Sequence, residues 1–295
     1  MTTNVSLVIA TRDRARSLEA TLAHVADLAI PSSWEAELIV VDNGSSDGTI
    51  EVAARGTIGR RPADVVVEPD SGVSRARNRG AREASGGILL FLDDDVRPPP
   101  SWLVGLAAPI VEGAVVATVS QFRLGYDRPW LTNGDRAMLM SEHSIEREHP
   151  FLVGGSMAIE RDAFFEHGPF EEELGPGALG PGGEDLLLTY RLAAAHKPVR
   201  FVENVEVLHM PDVRKLERSA LNARAVAGGS TDAWLAYHWF GRSDRHARSK
   251  AAVLSAAAAT MRWSPQRSRA LRVRAAWHAQ MAVEQRRPRR RFPES

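Results

Sequence analysis

The chain has 295 residues, 37 basic against 37 acidic side chains, 44% hydrophobic residues and no cysteine. That length suffices for one large α/β domain or two smaller ones with a substantial core. Disulfide and thiolate chemistry are excluded, which fits a reducing compartment, and no apolar run reaches the roughly 18 residues of a spanning helix.

The start, MTTNVSLVIATRDR, lacks the basic segment and long apolar run of a signal peptide, so a cytoplasmic location is expected. Residues 5–10, VSLVIA, form a short apolar run suited to a buried parallel strand. Leu18, Leu22, Val25 and Leu28 then recur at helical spacing. ELIVV (37–41) is a second buried strand, closed by DNGSSDGT, where Asp47 is placed to cap a helix starting near Thr49. DVVVE (64–68) is a third strand. SGVSRARNRGAREAS reads as a loop and a helix, with Ser71 or Ser74 as the cap. GILLFL (87–92) is a fourth strand and VVATVS (115–120) a fifth. Residues 125–150 are loop-rich, with Trp130, His143 and His149. FLVGGSMAIERDAFFEHG is a strand and then a helix from about Arg161. The glycine–proline loop GPGALGPGGED leads directly into the helix LLLTYRLAAAHK. VRFVENVEVLHM holds one or two strands, and from about Val213 onward the chain reads as helical. No internal repeat is present.

Strand–helix alternation implies parallel strands joined by right-handed crossovers. Such sheets bind ligands at the carboxyl ends of their strands. Thr11, Asp42, Asp70 and Asp93 all sit just past strand ends and should converge on one edge. The run ILLFLDDDVRPPP ends a buried strand with Asp93, Asp94 and Asp95, and Pro98–Pro100 stiffen the chain just beyond them. Three adjacent carboxylates need a cation. Mg²⁺ and Mn²⁺ take carboxylate oxygens and keep positions open for phosphate. Side-chain alternation lets Asp93 and Asp95 reach the ligand side together while Asp94 points elsewhere. In VVDNGSSDGT, Asn43–Gly44 and Asp47–Gly48 are common turn pairs, and Asp42 is placed to accept hydrogen bonds from a nucleobase or ribose. DSGVSRARNRG supplies Arg75, Arg77 and Arg79 near a helix N-terminus, a setting that favours phosphate. Spaced two apart on a helix, they cannot all face one way. Arg77 is the one expected to turn inward and neutralise the aspartates.

Taken in order, VSLVIATRDR, VVDNGSSDGT, DSGVSRARNRG, ILLFLDDDV, FLVGGSMAIERDAF, GPFEEELGPG and GGEDLLLTYRL resemble the successive blocks of family-2 glycosyltransferases with the GT-A fold. The resemblance covers about residues 4–210. It implies a mostly parallel central sheet flanked by helices, with a Rossmann-like nucleotide-binding half (1–100), an acceptor-binding half (101–212) and a helical C-terminal extension (213–295). It further implies inverting transfer of a sugar from a nucleotide diphosphate to a hydroxyl, with Mn²⁺ or Mg²⁺ as cofactor. UDP is the default donor nucleotide, with dTDP and GDP open. The acceptor would be a glycan, a lipid-linked molecule or a small molecule.

Carried over position by position, the resemblance makes Asp42 the base-binding acid, and Thr11 and its neighbours the lining of the nucleotide pocket. Asp93 becomes a ribose or metal-shell acid, and Asp95 the direct metal ligand. Arg77 pairs with the acidic cluster or the diphosphate. Asp185 is the catalytic base, and Glu184 beside it would hydrogen-bond the acceptor. His209 falls at a further metal or diphosphate contact. Gly154, Gly155 and Ser156 would lie under the acceptor sugar. Two departures stand out: Ala10–Thr11 replaces the more usual Pro-Thr, and Leu186–Leu188 follow Asp185 where polar residues are usual.

Between Arg242 and Arg291 the chain carries 14 Lys/Arg against two Asp/Glu, so the remainder is correspondingly acidic. Two helices are expected here, one up to Trp263 and one over 266–285, broken by Ser264–Pro265. Leu271, Ala275, His278 and Ala282 would share a face packed on the domain or on a second subunit. The cluster Arg286, Arg287 and Arg289–Arg291 offers contacts to an anionic membrane at the cytoplasmic face. Two other function classes fit parts of the sequence. A nucleotidyltransferase shares the aspartate-rich site, but VIATRDRARS lacks the glycine-rich loop and lysine such an enzyme needs. A nucleic-acid-binding protein could use the tail, but no recognised motif accompanies Trp263 and Trp277, and nucleic acid is not an expected partner.

Overall fold

The computed structural model describes residues 3–126, 128–139, 150–178, 182–261 and 263–290. His143, His149 and Arg291 lie outside the described residues, as do parts of the two long loops. The first half follows the alternation read from the sequence. In order come β1 (Thr3–Thr11), α1 (Ala15–Ala26), β2 (Trp34–Asp42), α2 (Thr49–Ala53) and a small hairpin of β3 (Thr57–Ile58) and β4 (Arg61–Pro62), then β5 (Asp64–Val67), α3 (Val73–Glu83) and β6 (Ile88–Leu92). All five residues of β6 are buried, as are Val5, Leu7, Val8 and Ile9 of β1. Strands buried on both faces need helices to cover them. Leu18, Leu22 and Val25 of α1 and Ala76 and Ala81 of α3 supply that cover. Each fully buried Leu or Val contributes about 1.5–3 kcal/mol. Gly80 lets α3 approach closely, since a Cβ there would stand 2.4 Å from Val8.

The second half holds β7 (Val96–Arg97), α4 (Trp102–Val111), β8 (Ala117–Leu124), α5 (Asn133–Met138), β9 (Ser156–Glu160), α6 (Arg161–His167), α7 (Glu184–Ala194) and β10 (Val199–His209). One sheet runs β5-β2-β1-β6-β9-β8-β10-β7. β5, β2, β1 and β6 pair in parallel, and so do β8 and β10. β9 is antiparallel to both β6 and β8, and β7 is antiparallel to β10. The sheet is therefore mostly parallel, as expected, with one reversal of consequence. β8 ends at the ligand edge, and the chain re-enters the sheet as β9 from that same edge. The segment read as one or two strands is one strand, β10, whose pairing with β8 shifts register between Val202 and Glu206.

Residues 1–178 with 184–211 form one compact unit, and 179–183 with 212–295 form another. In the second, a short 3-10 turn (Val213–Leu216) leads into α8 (Arg218–His238), α9 (Ala247–Thr260) and α10 (Pro265–Glu284). Pro265 opens α10, where a missing N–H costs nothing. α10 packs on both α8 and α9 around Ala233, Ala236, Ala247 and Met281. His238 and Glu284 are buried together, with Nε2 3.0 Å from the carboxylate. The Arg290 backbone N–H donates to Nδ1 (3.2 Å), so Nε2 carries the proton given to Glu284. The Arg289 guanidinium donates to the carbonyls of His238 and Trp239, and Arg287 faces Glu284 at 3.6 Å. Part of the arginine cluster expected at an anionic surface is thus tied back onto the helices. Among the described residues no helix is long and apolar enough to cross a membrane.

Candidate active site

The parallel register sets the site. Thr11 and Asp42 end β1 and β2 as direct neighbours, and β6 pairs with β1 so that the aspartate turn emerges beside them. Asp42 is 1% exposed. Its Oδ2 accepts the Ser45 N–H at 3.1 Å, while Oδ1, equally buried, has no hydrogen-bond partner among the described residues. A buried carboxylate oxygen without a donor is costly, on the order of 1–3 kcal/mol or more. It is satisfied when a ligand brings an N–H or O–H. Asn43 fixes the neighbouring loop by donating to the carbonyls of Glu68 and Asp70 and accepting from Gly72 N–H.

The strand ends at Leu92, so alternation does not carry through the three aspartates. Asp94 and Asp95 both face Arg14 while Asp93 turns to Arg77, and the expected pairing of Asp93 with Asp95 on one side does not form. Asp94 turns back toward β1, accepts from Thr11 Oγ1 at 2.7 Å, and offers its carbonyl to Ser17 and Thr21 of α1. Burial pushes its carboxyl up to about 7, and Asp95 adds to this against the opposing pull of Arg14. Thr11 therefore positions the acidic turn with its hydroxyl. Asp95 lies between two groups. Its Oδ2 meets Arg14 Nη2 at 2.6 Å, and its Oδ1 is 3.6 Å from His209 Nε2 at the end of β10. His209 Nδ1 faces the Leu139 carbonyl at 2.7 Å. A carbonyl only accepts, so Nδ1 carries hydrogen. In the neutral ring the Nε2 lone pair then faces a carboxylate oxygen. Two acceptors so placed suit a positive centre between them, such as a proton or a metal ion. The donor set therefore fits a divalent cation bound by one or two protein groups, with its other positions left to a phosphate ligand. Among the described residues there is no preformed cluster of three or more metal-ligating side chains.

Asp93 goes the other way. Its Oδ1 takes Arg77 Nη2 at 2.7 Å, and Arg77 Nη1 bonds Glu184 Oε1 at 2.9 Å. The expectation that Arg77 is the inward arginine holds: it is buried, while Arg75 and Arg79 pair with Glu172 and Glu83 at the surface. Burial opposes its charge, yet Asp93 and Glu184 outweigh that and hold its pKa above the ordinary value. The guanidinium also sits 5.6 Å from the Phe170 ring centre. Neither Ser71 nor Ser74 caps α3. Gly72 occupies the cap, and the two hydroxyls donate to Gly177 and Leu174 carbonyls. Gly48 likewise holds the cap position of α2, with Asp47, read as the cap, one residue before it and accepting the Thr49 N–H at 3.0 Å.

Asp185 opens α7 beside Glu184. Its carboxylate accepts Gly154 N–H at 3.1 Å and Leu186 N–H at 2.8 Å. Part of its surface stays exposed. Burial is still the main influence and, with the Glu184 charge, pushes its carboxyl up to about 7. Gly154 and Gly155 are required by space: a Cβ would come 2.5 Å from Arg77 Nη1 and 2.8 Å from Asp93 Oδ2 respectively. Ser156, expected beneath the acceptor, instead accepts from Trp102 Nε1 and bonds Ser120 in the core. The structure thus gathers Thr11, Arg77, Asp93, Asp95, Gly155, Glu184, Asp185 and His209 through linked contacts, and adds Arg14. Nothing in TRDR marks Arg14 apart from Arg12, which reaches Ser71 and Asp13 at the surface.

The model of the family described as "Glycosyl transferase family 2" matches residues 6–168. The chain belongs to glycosyltransferase family 2. Glycosyltransferase AglE of Haloferax volcanii is 30% identical over 214 residues, covering 70% of this chain and 66% of that protein. Validoxylamine A glucosyltransferase of Streptomyces hygroscopicus subsp. jinggangensis is 29% identical over 227 residues, 66% of this chain and 52% of that protein. The chain thus spans about half to two-thirds of the length of these two family relatives. Among solved structures, a mannosyltransferase of Pyrobaculum calidifontis superposes with a TM-score of 0.60 at 16% identity, covering 96% of this chain and 87% of that one. TarS of S. aureus (residues 1–349) gives 0.56 at 16% identity, covering 99% and 94%. These likenesses give the GT-A fold.

Proposed function

We propose that this family-2 member transfers a sugar from a nucleotide diphosphate to a hydroxyl acceptor with inversion, using Asp185 as base. The observation that carries this reading is Arg77. One guanidinium joins Asp93, on the acidic turn of the donor edge, to Glu184, the neighbour of a carboxylate poised near neutrality. A displacement needs both halves together. Asp185 takes the proton from the attacking hydroxyl as the new C–O bond forms, and the bond from the anomeric carbon to the diphosphate oxygen breaks. A base titrating near working pH combines a useful ionised fraction with proton affinity. The Gly154 and Leu186 N–H groups keep Asp185 in place, and Glu184, held by Arg77, raises its proton affinity and contacts the acceptor.

Asp42 Oδ1 receives a donor from the nucleobase or ribose. Asp95 and His209, with Asp93 nearby, are the residues that would hold Mn²⁺ or Mg²⁺. Bound there, such an ion would neutralise charge developing on the leaving diphosphate. The Pyrobaculum mannosyltransferase was solved with GDP-Man and Mn²⁺, which supports a divalent ion and keeps GDP beside UDP and dTDP as donor nucleotides. The relative named for validoxylamine A supports a small-molecule acceptor, and a glycan or lipid-linked hydroxyl fits the same chemistry. Family membership leaves the nucleotidyltransferase and nucleic-acid readings without support.

The test is product identity. Incubation with UDP-, GDP- and dTDP-sugars and Mn²⁺ should release the nucleoside diphosphate from one of them, and chelation should lower the rate. Formation of nucleoside triphosphate and sugar 1-phosphate when pyrophosphate is added, with no nucleoside diphosphate released, would mean nucleotidyl transfer instead.

A further inference from the structure

Arg14 stands where a metal ion would have to compete with it. Its Nη2 lies 2.6 Å from Asp95 Oδ2 and 3.5 Å from Asp94 Oδ1. The residue is held at both ends: the Arg14 backbone N–H donates to Thr49 Oγ1 at 3.0 Å, and Nη2 reaches Ser17 Oγ at 3.5 Å. Asp95 itself is pinned, because its carbonyl accepts Met210 N–H at 2.7 Å. The backbone at Asp95 is therefore fixed just before β7, and the carboxylate already holds one full positive charge on one oxygen, with His209 near the other.

We infer that Arg14 is a built-in counter-ion that makes metal binding conditional on the donor diphosphate. The inference rests on the reading that Asp95 holds a divalent cation. A cation arriving alone meets a like charge at the oxygen it needs, and displacing Arg14 breaks its 2.6 Å pair with Asp95 and leaves the longer one with Asp94. A diphosphate arriving with the cation changes both terms. Its oxygens give the guanidinium a planar, bidentate partner of the same sign as the one it gives up. Arg14 then moves from Asp95 to phosphate while the cation takes Asp95. The Arg14 backbone is held by Thr49, and besides its carboxylates the guanidinium reaches Ser17 Oγ at 3.5 Å, so the shift is a side-chain swing and needs no backbone rearrangement. Coupling of this kind is reciprocal: whatever factor the diphosphate lends to metal affinity, the metal lends to the diphosphate.

The experiment measures Mn²⁺ affinity by the free-ion paramagnetic resonance signal, first with Mn²⁺ alone and then with saturating UDP, GDP or dTDP, in wild type, Arg14→Met and Arg14→Lys. Wild type should bind Mn²⁺ weakly alone and on the order of ten- to a hundredfold more tightly with the matching nucleotide. Arg14→Met should tighten Mn²⁺ binding alone by about tenfold and collapse most of that coupling. Arg14→Lys keeps the charge and should keep Mn²⁺ alone weak. A far-ultraviolet spectrum and melting curve of each variant confirm that the compared proteins are folded. Unchanged or weaker Mn²⁺ binding alone in Arg14→Met, with coupling intact, overturns the role of Arg14 and leaves the metal reading standing. No Mn²⁺ binding by wild type under any condition overturns both.

Discussion

Asp185 works as a base only when ionised, and its carboxyl is pushed up to about 7 by burial and by Glu184. Transfer should therefore fall as pH drops through 7 and level off above it, which a kcat/KM profile reads directly. Folding responds in the opposite sense. A carboxyl raised in the folded state gives stability that is fullest below the ordinary carboxyl range and is lost as pH rises through the raised value. Asp185→Asn should thus melt higher than wild type at pH 8, by about 2–4 °C for each kcal/mol of ionisation cost removed. Arg77 is the opposite case. It serves two carboxylates, one of them on the buried Glu184. Arg77→Met should cost about 3–5 kcal/mol in denaturant unfolding, the usual scale for breaking a buried pair. Arg77→Lys should recover only part of this, because an ammonium lacks the fork that bridges both. Asp95→Asn should abolish Mn²⁺-dependent nucleotide binding in a protein that still folds, with a lowered melting temperature because Arg14 loses its 2.6 Å partner.

The helices and strands differ in how much of them the sequence reveals. β1, β2 and β6 are legible because burial on both faces leaves continuous apolar runs. β9 is equally apolar, yet its reversed direction depends on the chain re-entering the sheet from the ligand edge, which no local pattern encodes. The cap of α3 escapes a local reading because Ser71 and Ser74 find carbonyls of the later loop at Gly177 and Leu174, about a hundred residues on. The sequence of α10 reads as an arginine-rich amphipathic helix, but its Glu284 is 0% exposed and pairs with His238. A single acid in a basic helix looks like a surface residue until α8 is placed against it. Glu284→Ala should destabilise the helical unit by about 3–5 kcal/mol. Limited proteolysis would show cleavage in 213–290 at protease levels that leave wild type intact.

Across the whole molecule, the residues that end strands in the sequence are those that meet in the fold, since parallel register carries Thr11, Asp42 and Asp93 to one edge. His209 and Glu184, the neighbour of Asp185, come from the second half of the sheet unit and join through Asp95 and Arg77. The sequence motifs locate these groups, but their partners are legible only where one charge class is scarce. Arg14 is hidden among many exposed arginines, and the pairing of Arg77 with Glu184 spans a separation no periodicity covers. The central claim joins two separate requirements, donor binding at the sheet edge and proton removal by Asp185. One paired measurement tests it: nucleoside-diphosphate release from the matching nucleotide-sugar, alongside donor affinity, in wild type and Asp185→Asn. The expected result is a loss of about 10²–10⁴-fold in release with donor affinity retained. Full release by Asp185→Asn, with Glu184→Gln inactive instead, would contradict it.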